Sequence, residues 1–359
     1  MGGQTWRGQG GIMSRTYLDY NATAPLGAAA RKAMMAAMDV VGNPSSVHAE
    51  GRAAKGLMER ARAQVAEAFG ADGADIVFTS GATEAAALAM AGRGLHCADV
   101  EHEAVSSWSG GSLPVTSDGA VNCLNPAMSA LQLANSETGI VQELPDGLAL
   151  CDATQGFGKL PVAFNWIGCD MALISGHKIG GPKGVGALVL RQGLDVVAGI
   201  RGGGQEMGRR SGTENLIGIA GFGAAAQAAA KALANGVWDE VAQKRDLLED
   251  LLAQEIDTPM FVGKPHARLP NTMCLITPGW KGETQVMQMD LAGFAVSAGS
   301  ACSSGKVKAS KVLRAMGYDE TEAMSALRVS IGPQTTTQEI ERFATAWLAA
   351  YGRWKKRAA

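Results

Sequence analysis

Met171-Ala172-Leu173-Ile174-Ser175-Gly176-His177-Lys178 is the stretch on which the fold turns: an apolar run that reads as a strand, a break at small polar residues, then a lysine. An amine at the end of a buried strand has its pKa lowered by desolvation, which frees the lone pair for Schiff-base chemistry. Pyridoxal phosphate is the cofactor that most often uses such a lysine. The next residues, Gly180-Gly181-Pro182-Lys183-Gly184-Val185-Gly186, suit close approach of the backbone to a ligand. They suit equally a tight turn before the apolar run Ala187-Leu188-Val189-Leu190.

Runs of the same kind occur at Asp75 to Thr79, Leu131 to Ala134, Leu148 to Cys151 and Val185 to Leu190. Two of them end in polar clusters, Asn135-Ser136-Glu137 and Asp152-Ala153-Thr154-Gln155. Between the runs lie helical patterns: an Ala/Met-rich segment through about Met38, Arg52 to Phe69 with Gly70 as its stop, and Ala85 to Ala91. Strands that are apolar throughout and alternate with helices argue an α/β sheet covered on both faces, with ligands beyond the strands' carboxyl ends. The strand Asp75 to Thr79 runs into Ser80-Gly81-Ala82-Thr83-Glu84, a turn that would point N–H groups at a phosphate or simply start a helix capped by Thr83. A second glycine-rich loop, Gly202 to Glu206, leads to Arg209-Arg210-Ser211-Gly212-Thr213-Glu214. Neither glycine run fits the P-loop or dinucleotide fingerprints.

From about Asn235 the texture changes to a charged amphipathic helix, Asp239 to Ile256, and a domain boundary is expected nearby. Strands are expected at Met273 to Ile276, Phe294 to Val296 and Leu327 to Ile331, a helix at Ser310 to Met316, and a capping box at Thr336 and Glu339 opening the last helix. Between them Ser297 to Lys306 is a loop of small residues around Cys302. The 359 residues carry a net charge of -2 with 18% charged residues, so there is no electrostatic footprint for nucleic acid or an anionic membrane surface. Six cysteines without C-x-x-C spacing indicate neither a zinc ribbon nor a disulfide framework, and a cytoplasmic location is expected. No metal site is expected. The residues before Met13 are read as a disordered extension, and no run is expected to approach the length of a membrane span.

Taken in order, these segments resemble the cysteine desulfurases, the NifS/IscS-like group of fold-type I pyridoxal phosphate enzymes in the class V aminotransferase family. The resemblance rests on Tyr17 to Thr23, Gly42-Asn43-Pro44-Ser45-Ser46-Val47-His48, Thr79 to Glu84, Glu101-His102, Asp152 to Gln155, Ser175 to Lys178, Arg210 to Asn215, Gly299 to Cys302 and Leu327 to Gly332. It implies a large, mainly parallel sheet domain sandwiched by helices, residues 24–235. It also implies a smaller α+β domain, residues 1–23 and 236–359, carrying the catalytic cysteine loop at about 297–310.

By the same resemblance, Lys178 carries the cofactor covalently, Asp152 holds the protonated pyridine nitrogen, His102 stacks on the ring and Gln155 bonds its phenolic oxygen. Ala82, Thr83, Ser175 and His177 hold the phosphate, with Thr213 reaching across from the second subunit of a homodimer. Arg328 clamps the carboxylate of L-cysteine, with Asn135 and Ser136 beside the substrate. Cys302 is the nucleophile: it takes the substrate's sulfur as a persulfide, releases alanine, and hands the sulfur to a protein acceptor such as an iron–sulfur scaffold or a sulfur carrier. Iron–sulfur cluster assembly and tRNA thiolation are the processes such sulfur serves.

Two departures stand out. Ser136 occupies a position where the family usually has asparagine, and Tyr351 to Arg357 lacks the longer tail that housekeeping members use near their scaffold. Competing readings are a selenocysteine lyase or cysteine sulfinate desulfinase, and, from another class, a cofactor-free scaffold in a sulfur-transfer complex.

Overall fold

A computed structural model describes residues 15–256, 258–299 and 308–358. The central sheet is assembled from the fully apolar runs. Its strands are β1 (Asp75–Thr79), β2 (Ala130–Gln132), β3 (Leu150–Asp152), β4 (Met171–Ser175) and β5 (Gly186–Leu190), in the order β1-β5-β4-β3-β2. β5 runs antiparallel to β1 and β4, whereas β4, β3 and β2 pair in parallel, so every strand but β5 points the same way.

Successive side chains of a strand alternate in face, and here both faces are buried. Ile76, Phe78, Ala172, Ile174, Ala187 and Val189 belong to one core; Val77, Met171, Leu173, Leu188 and Leu190 belong to the other. The first is closed by α2 (Ala49–Ala68), through Met58, Ala61 and Val65, and by a helix over Leu216–Ala234, through Ile219, Phe222 and Ala226. The second is closed by α3 (Ala82–Met90). Each large apolar side chain buried this way stabilises the fold by about 1.5–3 kcal/mol, so a two-faced sheet gains roughly twice what a one-faced sheet would.

The helix Leu216–Ala234 has no counterpart in the sequence-based expectation. By length and composition alone it could cross a membrane, which corrects the expectation that no run approaches the length of a span. Its apolar surface is spent instead on α2 and on α1 (Ala28–Met38). Glycines make that packing close: a Cβ on Gly223 would lie 2.8 Å from the Ala61 Cα, and one on Gly221 would lie 2.6 Å from the Met34 Cγ.

A second, four-stranded antiparallel sheet follows: β6 (Met260–Phe261), β7 (Thr272–Ile276), β8 (Ser297–Ala298) and β9 (Ala326–Ser330), in the order β8-β9-β7-β6. It packs with helices Val237–Ala253, Gly282–Leu291 and Thr337–Ala358 around Leu248, Trp280, Phe294, Phe343 and Trp347. The N-terminal segment joins this unit, because Thr16–Tyr17 pairs in parallel with Phe294–Ala295 and Leu18 lies in the same core. The single strand expected at Phe294 to Val296 is therefore two short ones, each taken by a different partner: Thr16–Tyr17 for the first, β9 for the second. The capping box opening the last helix is present, with Thr336 N donating to Glu339 Oε2 (2.9 Å) and Glu339 N donating to Thr336 Oγ1 (3.2 Å). The expected N-terminal extension lies outside the described residues.

Candidate active site

One cavity of about 1200 Å³ opens where β3 and β4 end and faces the second sheet. The strand ends supply Asp152, Thr154, Gln155, Ser175, His177 and Lys178, and Arg328 comes from β9. Ala82, Thr83, His102 and Ser136 also line it, so most of the expected site residues meet in one place although they are scattered along the sequence.

Lys178 sits on a single 3-10 turn, Gly176–Lys178, directly after β4. Its Nζ donates to the carbonyls of Asn21 (2.6 Å) and Ala22 (3.0 Å). Burial, with Arg328 as a further cationic neighbour, lowers its pKa to about 8, so the free-amine fraction near neutral pH is far larger than for an exposed lysine. Asp152 ends β3, and its Oδ1 accepts from Thr154 N (2.9 Å). Glu101, which feels the charge of Asp152, is buried, and burial raises its pKa well above the usual carboxylate range.

The turn Ser80-Gly81 lies flat on β5, where a Cβ on Gly186 would come 2.8 Å from the Gly81 Cα. The helix behind that turn is capped by Gly81 and not by Thr83. Glu84 holds the turn, accepting from Ser80 N (2.8 Å) and pairing with Arg210 (2.8 Å). That leaves the first-turn N–H groups of Ala82 and Thr83 free of the hydrogen bonds that run through a helix interior. His177 is held neutral: burial, then Lys178 and Lys183, push its pKa down to about 4. The second glycine-rich loop takes no part in the cavity. Its Glu206 is buried, accepting from Arg62 Nη1 (2.8 Å) and from Phe78 N (3.0 Å), which ties the loop to β1.

His102 caps a short helix, and its Nδ1 accepts from Ala104 N (3.1 Å). The ring proton therefore sits on Nε2 when the imidazole is neutral. Arg328 donates through Nη2 to Asp19 Oδ1 (2.7 Å) and through Nη1 to the Ser136 carbonyl (3.1 Å), while its buried Nε has no partner among the described residues.

Three expected residues stand differently. Asn135 does not reach the cavity: its Nδ2 donates to the Val100 carbonyl (3.0 Å), and its Oδ1 accepts from Glu137 N (2.9 Å) and Thr138 N (2.8 Å), which fixes the turn that presents Ser136. Thr213 is exposed and does not line the chain's own cavity. Cys302 lies outside the described residues.

The sequence reading assigned no role to Asn21 or Glu137, and the structure makes both central. Asn21 is buried, and its backbone carbonyl accepts from Lys178 and from Gln155 Nε2 (2.9 Å), while its Nδ2 donates to the Ser136 carbonyl (3.1 Å) and Thr272 Oγ1 (2.8 Å). Glu137 is half-buried beside Ser310, whose Oγ donates to it (2.6 Å), and its pKa is raised to about 7 by desolvation against the opposing pull of Ser310 and Arg328. A carboxyl whose pKa is higher in the fold than in the unfolded chain contributes stability that is full below about 4.5 and is lost as pH rises through about 7. Glu137→Gln cannot ionise and keeps an acceptor for Ser310. It is expected to match the wild type at pH 4.5 and to be more stable by about 1–3 kcal/mol at pH 8. Urea unfolding at the two pH values measures this; equal stability at pH 8 would contradict it.

The donor set suits a cofactor with a phosphate, a cationic ring nitrogen and a reactive carbonyl. It offers free N–H groups at a helix start, a carboxylate at Asp152 and an amine at Lys178. The buried Thr154 Oγ1, without a partner among the described residues, is a further polar atom in the cavity wall awaiting one.

Comparison with known proteins matches the Aminotransferase class-V family over residues 16–109 and 123–343. A cysteine desulfurase of Cereibacter sphaeroides is 39% identical, covering 92% of this chain and 94% of that protein. Cysteine desulfurase IscS 1 of Archaeoglobus fulgidus is 36% identical, covering 91% of this chain and 94% of that protein. Among solved structures, a NifS-like protein from Rickettsia africae superposes with a TM-score of 0.86 at 31% identity, covering 94% of this chain and 99% of that one.

Proposed function

The chain belongs to the class V aminotransferase family and, within it, to the cysteine desulfurases; on that footing we propose that Lys178, Asp152, Arg328 and Cys302 carry the removal of sulfur from L-cysteine, with pyridoxal phosphate as cofactor. The observation that supports this most is the single cavity in which a desolvated Lys178, the carboxylate of Asp152 and the half-satisfied guanidinium of Arg328 face one another. Ala82, Thr83, Ser175 and His177 would hold the phosphate, and Gln155 and His102 the ring. When bound, the cofactor supplies an electron sink for bond changes at the amino acid.

The residues divide the remaining work. Asp152 keeps the ring nitrogen protonated. Arg328 exchanges Asp19 for the substrate carboxylate, a planar fork matched to a planar anion. Lys178, with its pKa near 8, takes and returns the α proton. The Cys302 thiolate attacks the substrate sulfur. The S–Cβ bond breaks, the sulfur stays on Cys302 as a persulfide, and Cβ gains a proton, so cysteine and thiol become alanine and persulfide with no outside oxidant.

Residues 24–235 are proposed as the cofactor half and residues 1–23 with 236–359 as the half that brings Arg328 and Cys302. We assign Thr213 to the cavity of a second copy, a reading supported by its exposure and by the exposed Met35, Met38, Val41 and Val197. The persulfide is proposed to pass to a protein acceptor, an iron–sulfur scaffold or a sulfur carrier. Cys97, Cys123, Cys151, Cys169 and Cys274 are free thiols, which suits the reducing cytoplasm proposed as the location.

Assay of cysteine, selenocysteine and cysteine sulfinate, with and without Cys302, tests the substrate. Alanine is expected from cysteine only when Cys302 is present; Cys302-independent turnover of either other substrate at a higher rate would favour a lyase or desulfinase. Ser136 is the local test of the pocket. Asn135 cannot stand in for the family's asparagine, because its amide is already committed. A water bridging Ser136 to the substrate would lose little, so Ser136→Asn is expected to leave alanine formation within about tenfold. Abolished turnover in that variant would mean a pocket rebuilt around serine.

A further inference from the structure

Lys159 is a buried lysine for which the chemistry above has no use. It is 2% exposed, and its Nζ donates to Gln155 Oε1 (2.8 Å) and Asn21 Oδ1 (3.2 Å). No carboxylate pairs with it among the described residues, and Lys178 and Arg328 are its cationic neighbours. Burial and those two charges push its pKa far below the usual lysine range. A neutral amine has two N–H donors, and two amide oxygens receive them; an ammonium would carry a third N–H with no acceptor.

Gln155 is held from both sides. The Asn21 backbone carbonyl can only accept, so the Gln155 Nε2 must face it, at 2.9 Å. That turns Oε1 toward Lys159 and leaves one N–H of the amide uncommitted in the cavity wall. Without Lys159 a buried Oε1 would lack a donor, and the amide would gain by rotating to seek one.

We infer that Lys159 is a positioning residue for the cofactor: it locks the Gln155 amide so that its uncommitted N–H is presented as a donor to the ring oxygen. The inference rests on the proposed cofactor and goes beyond it, because Lys159 itself touches neither cofactor nor substrate. A donor there stabilises the ionised ring oxygen and makes the nearby Lys178-borne proton easier to lose.

The test reads the pH midpoint of the bound cofactor's visible absorption band in holoenzyme, a property that does not depend on turnover. Gln155→Leu removes the donor and is expected to raise the midpoint by about one unit. Lys159→Met, of similar length but without a donor, is expected to raise it by at least half as much. The double variant, in which neither buried oxygen of the pair is stranded, is expected to match Gln155→Leu alone. An unchanged midpoint in Lys159→Met beside a shifted Gln155→Leu would overturn the inference. If Lys159→Met does not fold, the double variant decides: a midpoint displaced from that of Gln155→Leu would show Lys159 acting by another route. A wild type with no visible band would overturn the cofactor assignment first, which separates that failure from this one.

Discussion

Lys178→Ala is expected to lose the covalently held cofactor and to lower kcat by about a thousandfold or more, the scale on which removal of a catalytic group is felt. The position is prepared for this chemistry by the fold. β4 is buried along its whole length, its end delivers Lys178 into the cavity, and two carbonyls, those of Asn21 and Ala22, receive its protons. Burial, and then the nearby Arg328, lower its pKa to about 8, so the amine is available as a nucleophile and a base. Borohydride treatment followed by peptide mapping measures the linkage: the cofactor should be fixed to the peptide holding Lys178 in the wild type and to none in the variant. Retention of fixed cofactor in Lys178→Ala would move the reactive amine elsewhere. Lys159 would then be the alternative to examine, since it is the other desolvated lysine beside Asn21.

Cys302→Ser separates cofactor chemistry from sulfur chemistry. The variant is expected to bind cofactor with the wild-type spectrum and to respond spectrally to L-cysteine. It is expected to form no protein persulfide and to release alanine at least about a thousandfold more slowly. Serine cannot replace the thiol because its hydroxyl stays protonated near neutral pH, whereas the thiolate is the attacking form. Undiminished alanine and sulfide from Cys302→Ser would remove Cys302 from the mechanism. The other cysteines are poor substitutes, since burial pushes the Cys97 thiol up to about 11 and the Cys274 thiol up to about 12.

Much of the site was readable from sequence because of where its residues stand. Asp152, Ser175, His177 and Lys178 each follow an apolar run closely, and polar residues at the ends of buried strands have few places to go but a shared cavity. Arg328 has no such flag. It sits inside β9 between Leu327 and Val329, yet by sequence alone it passes for a surface arginine, and only the family resemblance marks it.

Asn21 and Lys159 were not legible for a different reason. Asn21 gathers partners from Ser136, Gln155, Lys159, Lys178 and Thr272, and nothing local in Tyr20-Asn21-Ala22 announces contacts so distant in sequence. Lys159 follows Gly158 and precedes Leu160-Pro161, where a lysine reads as solvated surface. The helix Leu216–Ala234 escaped because it is buried on several sides and rich in Gly and Ala, so it lacks the polar face that makes a helix visible by period.

The most direct test of the account is a single-turnover reaction of cofactor-loaded wild type with L-cysteine in the absence of any acceptor or reductant. Released alanine and protein-bound sulfur are both counted, and the sulfur is located by peptide mass spectrometry. The account predicts equal amounts of the two, with the extra sulfur on the peptide holding Cys302. Alanine without protein-bound sulfur, or sulfur carried on any other cysteine, would contradict it.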